Sequence, residues 1–62
     1  MEQVDALKTE ITAWIARTRE VANLVGRGTG GREMSLALTK LQEAGHWIRD
    51  ASDLLQTEAE ND

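Results

Sequence analysis

The chain contains no cysteine, no proline, no phenylalanine and no tyrosine, and only two tryptophans. Without cysteine there is no disulfide framework and no thiolate metal site, so the usual supports of a very small secreted fold are missing. Without proline, nothing outside the glycines forces a helix to break. No apolar run approaches the twenty or so residues of a membrane span, and the N-terminus lacks a basic region followed by an apolar stretch, so a soluble, cytosolic protein is expected. Basic residues are scarce as well: seven Lys and Arg stand against eleven Asp and Glu, a formal net charge of -4. Counterion release on a long nucleic acid needs a broad basic face, so neither long nucleic acid nor membrane is expected as a partner. A small anionic ligand is compatible with this charge.

What is present is helical patterning on either side of one glycine-rich segment. Val4, Leu7, Ile11, Trp14, Thr18, Val21 and Val25 recur at steps of three and four, which predicts a first helix over about 3–25 with these residues as its packing seam. A second helix is predicted over about 32–57, with Met34, Leu38, Leu41, Gly45, Ile48, Ser52 and Leu55 as its seam and a frayed acidic tail over 58–62. The expected fold is all-α, a single-domain two-helix antiparallel hairpin.

At 100° per residue, Leu36, Trp47 and Leu54 fall together nearly opposite the second seam, with Ala37, Ala44 and Ala51 on the flank between. A two-helix hairpin covers only one of these faces. In a 62-residue chain, which buries little apolar surface alone, covering the other face supplies the missing stability. A compact homo-oligomeric helical bundle is therefore expected, with Leu36, Ala44, Trp47, Ala51 and Leu54 at the interface. The competing reading is an ordinary hairpin with one exposed tryptophan.

The predicted loop, 26–31, and the residue after it read Gly26-Arg27-Gly28-Thr29-Gly30-Gly31-Arg32, with four of the five glycines and two of the seven basic residues. Glycines let backbone N–H groups approach an anion, and a helix start adds free N–H donors and the positive end of its dipole. The segment spells G-x-G-x-x-G, yet no strand precedes it and the chain has no room for a βαβ unit, so it is no dinucleotide fingerprint. An anion site and a plain turn, with Gly26 capping the first helix, both fit. Along the second helix Arg32, Ser35, Thr39, Gln42, His46, Arg49 and Asp53 share one face. It is either a solvated face or, at Arg32, Ser35 and Thr39, a source of guanidinium and hydroxyl donors for a phosphate beside Arg27 and Gly28. Trp14 and Trp47 suit packing, with base stacking as the sharper alternative. His46 has only Asp50 one turn away, too little for a metal, and no nucleophile stands beside a base in a known arrangement. A binding protein without catalysis, cofactor or metal is expected.

The run R-E-M-S-L-A-L-T-K-L-Q-E-A-G-H-W-I-R-D-A, Arg32 to Ala51, resembles the phage anti-CBASS cyclic-oligonucleotide sponges, whose second helix reads close to R-E-x-S-L-A-x-T-x-L-E-E-A-x-x-W-A. Arg32, Glu33, Ser35, Leu36, Ala37, Thr39, Leu41, Glu43, Ala44 and Trp47 match, over about a third of the chain. The resemblance implies a hexamer of helical hairpins in the cytoplasm of an infected bacterium, holding cyclic nucleotide messengers without cleaving them. It carries over Arg32 and Thr39 as phosphate contacts, with Lys40 as a neighbouring basic residue. The chain departs from that pattern in lacking an aromatic residue N-terminal to the first helix and in placing Gly31, not a side-chain cap, before the R-E pair. The alternative function is a structural or adaptor helical oligomer with no small-molecule ligand.

Overall fold

The structure, a computed structural model, describes residues 1–61 as two helices, α1 (Glu2–Val25) and α2 (Gly31–Asn61), packed against each other as an antiparallel hairpin. The expected fold is present. The hairpin is a rod, 53 × 14 × 11 Å in its Cα extents.

Both helices begin where electrostatics favours it, with Glu2 and Asp5 in the first turn of α1 and Glu33 in that of α2. α1 ends at Gly26, whose N–H donates to the Ala22 carbonyl at 2.9 Å. Gly26 takes φ 66°, ψ -144°, a region open in practice only to glycine. The turn closes through the Gly31 N–H donating to Gly28 O at 3.0 Å and the Met34 N–H to Gly30 O at 2.9 Å. The loop is thus residues 26–30, one shorter than expected. The predicted frayed tail is helical instead, as far as Asn61; Asp62 lies outside the described residues. Thr57 donates its hydroxyl to Asp53 O at 2.9 Å and Gln56 Nε2 reaches Glu60 Oε1 at 3.4 Å. With Glu58, Ala59, Glu60 and Asn61 following Thr57 and no glycine or proline among them, nothing stops the helix.

The α2 seam is the predicted one: Met34, Leu38, Leu41, Gly45, Ile48 and Leu55 are half-buried and Ser52 is buried at 8% exposure. The α1 seam is rotated from the predicted one. Val4, Lys8, Ile11, Ile15, Thr18 and Ala22 face α2, whereas Leu7, Trp14, Val21 and Val25 are exposed. Close approach decides this. A Cβ placed on Gly45 would sit 3.2 Å from Ile15 Cδ1 and 3.8 Å from Ile11 Cγ1, so the isoleucines nest against the bare glycine where an indole has no room. Lys8 contributes its aliphatic stem to the seam. Among the described residues no apolar side chain is fully buried.

Candidate functional site

Antiparallel pairing divides the hairpin into two broad sides. Lys8 and Thr12 of α1 border the same cleft as Gln42, His46 and Arg49 of α2, which makes this the polar side. The other flank of each helix necessarily turns to the opposite side. There Leu7, Trp14 and Val21 recur every seven residues on α1, about 60 to 80° round from the seam. Since Gly45 lies against Ile11 and Ile15, these three sit level with Ala51, Ala44 and Ala37 of α2 in turn. Beyond the alanines stand Leu36, Trp47 and Leu54. The result is a row of small residues flanked on α1 by Leu7, Trp14 and Val21 and, on the outer face of α2, by Leu36, Trp47 and Leu54 interspersed with Glu33, Lys40 and Glu43, with Trp14 59%, Trp47 69% and Leu54 70% exposed.

Of the five expected interface residues, Ala44 is half-buried and Leu36, Trp47, Ala51 and Leu54 are exposed; Ala44 and Ala51 flank the seam, and Leu36, Trp47 and Leu54 follow them round onto the outer face of α2. What the linear pattern concealed is that Leu7, Trp14 and Val21 join them. Two overlapping stripes run along α1, sharing Val4, Ile11 and Thr18, and only the partner helix selects between them.

At the loop end of the polar side, Arg27, Gly28, Arg32, Ser35 and Thr39 are all exposed. Arg32, Ser35 and Thr39 lie within about 60° of one another on the first turns of α2, and Arg27 and Gly28 stand in the loop just before. None of these arginines is in an ion pair among the described residues. The Thr39 hydroxyl donates to Ser35 O at 3.0 Å, so it presents lone pairs outward and must rotate to serve a phosphate as donor. Lys40 stands apart, about 80° round the helix from Arg32 and 100° from Thr39. Its Nζ lies 3.7 Å from Glu43 Oε2, both side chains being well exposed, an ion pair of little energetic weight.

The glycines are largely accounted for by closure of the hairpin. Gly26 and Gly30 have positive φ, 66° and 87°. Gly31 is buried, and a Cβ there would collide with the Gly26 carbonyl oxygen. Gly28 is different: its φ is ordinary and a Cβ would meet nothing nearer than Val25 O at 3.9 Å.

Midway along the polar side, the cleft of about 110 Å³ is lined by Lys8, Ile11, Thr12, Ile15, Gln42, Gly45, His46 and Arg49. Nothing in the linear order of the chain pairs Lys8 and Thr12 with His46 and Arg49; the antiparallel register does. Among the described residues no three His, Asp or Glu side chains gather as a metal site, and no helix is long and apolar enough to cross a membrane. Comparison with protein-family models, with curated proteins and with solved structures finds no match for this chain.

Proposed function

We propose that the chain is a non-catalytic binding protein that self-assembles through its apolar side, as a hexamer, and sequesters cyclic nucleotide messengers of bacterial anti-phage signalling, acting in the cytoplasm of an infected host. The observation that carries this reading is how the R-E-x-S-L-A-x-T resemblance divides over the hairpin. Of its matched polar positions, Arg32, Ser35 and Thr39 fall together on an open face beside Arg27, while Glu33 and Glu43 lie among the apolar ones on the outer face of α2. Its apolar positions Leu36, Ala37, Ala44 and Trp47 fall on the uncovered side, and Leu41 in the seam.

The area supports assembly. The chain exposes 5142 Å², whereas a folded monomer of 6.9 kDa exposes about 4,000 Å². The excess, roughly 1,100 Å², is of the order that one partner contributes to a stable interface, about 800 Å². Gathering several hairpins around one axis also gathers several copies of Arg27 and Arg32, and a multiply charged ring needs more cations than one hairpin offers. The ligand class rests on the resemblance.

The test is a thermal-shift screen of cyclic di- and trinucleotides and cyclic ADP-ribose-type nucleotides, followed by denaturing release and mass analysis. Stabilisation by at least one of them and recovery of it intact are expected. Each charge-assisted phosphate contact contributes about 1.5 to 3 kcal/mol, so Arg32→Ala weakens calorimetric binding by about ten- to a hundredfold. An unchanged dissociation constant removes Arg32 from the site. A second reading, a structural or adaptor oligomer, is favoured by one observation: hairpin closure alone accounts for Gly26, Gly30 and Gly31. It predicts no shift with any nucleotide.

A further inference from the structure

The cleft on the polar side brings two cations, Lys8 and Arg49, together with His46 in an acidic chain. Lys8, His46 and Arg49 stand on its walls beside Thr12 and Gln42, no acidic residue lines it, and Ile11, Ile15 and Gly45 form its floor. Asp5 and Asp53, one turn beyond Lys8 and Arg49, are not among its walls. None of the three basic side chains is in an ion pair among the described residues, where Lys40–Glu43 is the only such pair. The Thr12 hydroxyl donates to Lys8 O at 2.8 Å, within its own helix. Lys8 is half-buried along the seam while Arg49 and His46 are exposed, so the cleft has an ammonium side chain on its α1 wall and a guanidinium fork with an imidazole on its α2 wall.

Gly45 makes the recess. A Cβ at this position would press on Ile15 Cδ1 at 3.2 Å and narrow the floor between the two walls. The site also stays open in an assembly built through the apolar side, because it faces the other way. His46 is fourteen residues, about 21 Å along the helix, from Arg32, which separates this cleft from the loop-end residues.

We infer that this cleft is a binding site for the phosphate group of a small phosphate monoester, independent of the loop-end site. The chemistry selects the ligand. Arg49 offers two parallel N–H donors and Lys8 a point charge, a combination that matches the several oxygens and double charge of a phosphate monoester better than a single carboxylate. Gln42 Nε2 and an imidazole N–H of His46 supply further donors to the remaining oxygens. A cleft of about 110 Å³ admits the phosphate head, and its open mouth lets the esterified group extend over Ile11 and Ile15.

The experiment titrates the full chain with inorganic phosphate and, separately, with adenosine monophosphate, at constant ionic strength set with sodium chloride, following the His46 ring resonances by NMR. Saturable shifts of His46 are expected with both, and tighter binding of the monoester. Arg49→Gln and Lys8→Gln, both outside the apolar side, are each expected to weaken binding about tenfold or more with unchanged helical content. Gly45→Ala is a second, independent check, since it is expected to weaken phosphate binding without loss of thermal stability. Linear, non-saturating shifts, or shifts that sodium chloride alone reproduces, overturn the proposal. So does affinity unaffected by both charge-removing variants. Because the cyclic-nucleotide reading is tested at Arg32, loss of binding in Arg32→Ala with His46 shifts retained distinguishes failure of one site from failure of the other.

Discussion

Four glycines close together look interchangeable in the sequence and are not so in the structure. Gly26 occupies φ 66°, ψ -144°, where a Cβ costs on the order of 1–3 kcal/mol. At Gly31 the obstacle is the backbone carbonyl oxygen of Gly26, which cannot swing aside as a flexible side chain would. Gly28 has neither constraint. Gly26→Ala is therefore expected to destabilise the hairpin by about 1–3 kcal/mol, and Gly31→Ala by at least as much. Gly28→Ala is neutral or stabilising by up to about 1 kcal/mol, through the unfolded chain. Urea denaturation followed by circular dichroism ranks the three, and equal losses at all of them refute the assignment. The same Gly28 variant probes the anion reading: if the loop backbone contacts a phosphate, cyclic nucleotide binding falls while stability holds. Composition made the turn legible, but which glycines are obligatory depends on dihedral angles that composition does not record.

At the scale of the elements, the α2 seam was readable because one stripe only, Met34 to Leu55, has the period and apolar content to pack. α1 carries two stripes sharing Val4, Ile11 and Thr18, and the stripe with the larger side chains looks the better seam on hydrophobicity alone. Packing against a helix that presents Gly45 favours Ile11 and Ile15, whose branched chains fill a shallow recess, and turns Leu7, Trp14 and Val21 outward. Gly45 is a compromise at this contact. In a helix interior, glycine is less favourable than alanine by about 0.8–1.0 kcal/mol, and the nearest atom to an added methyl is the terminal Cδ1 of half-exposed Ile15 at 3.2 Å. That atom can give by the few tenths of an ångström required. Gly45→Ala is expected to stabilise the hairpin by about 0.5–1 kcal/mol, measured as a raised urea midpoint at unchanged slope; a lowered midpoint means the helices cannot adjust there.

For the whole molecule the governing fact is that a rod of two helices has too little interior. Among the described residues nine large apolar side chains are exposed, both tryptophans among them, and covering one that is largely exposed contributes up to about 1.5–3 kcal/mol. Sedimentation at micromolar concentration is expected to show an oligomer, with a melting temperature that rises with protein concentration. Trp47→Glu or Trp14→Glu places a charge on the apolar side and should shift the equilibrium to the 6.9 kDa monomer with a marked loss of melting temperature. The Trp14 variant is the sharper of the two: were Trp14 in the hairpin seam, the substitution would unfold the monomer, whereas on the outer ridge it leaves a helical one. A wild-type chain that sediments as a stable monomer at these concentrations refutes the assembly.

By itself the sequence determined two helices, the glycine turn between them, the α2 seam, the Leu36-Trp47-Leu54 face and the polar stripe that begins at Arg32. All of these follow from local preference and a 3.6-residue period acting within one segment. Only the tertiary structure decided which α1 stripe packs inward, that Leu7, Trp14 and Val21 lie level with Ala51, Ala44 and Ala37 to form a single apolar side, and that Lys8 and Thr12 meet His46 and Arg49 across a cleft. Those features depend on the register and rotation of one helix against another, which the close fit of Ile11 and Ile15 over Gly45 sets and which no periodicity within either helix encodes.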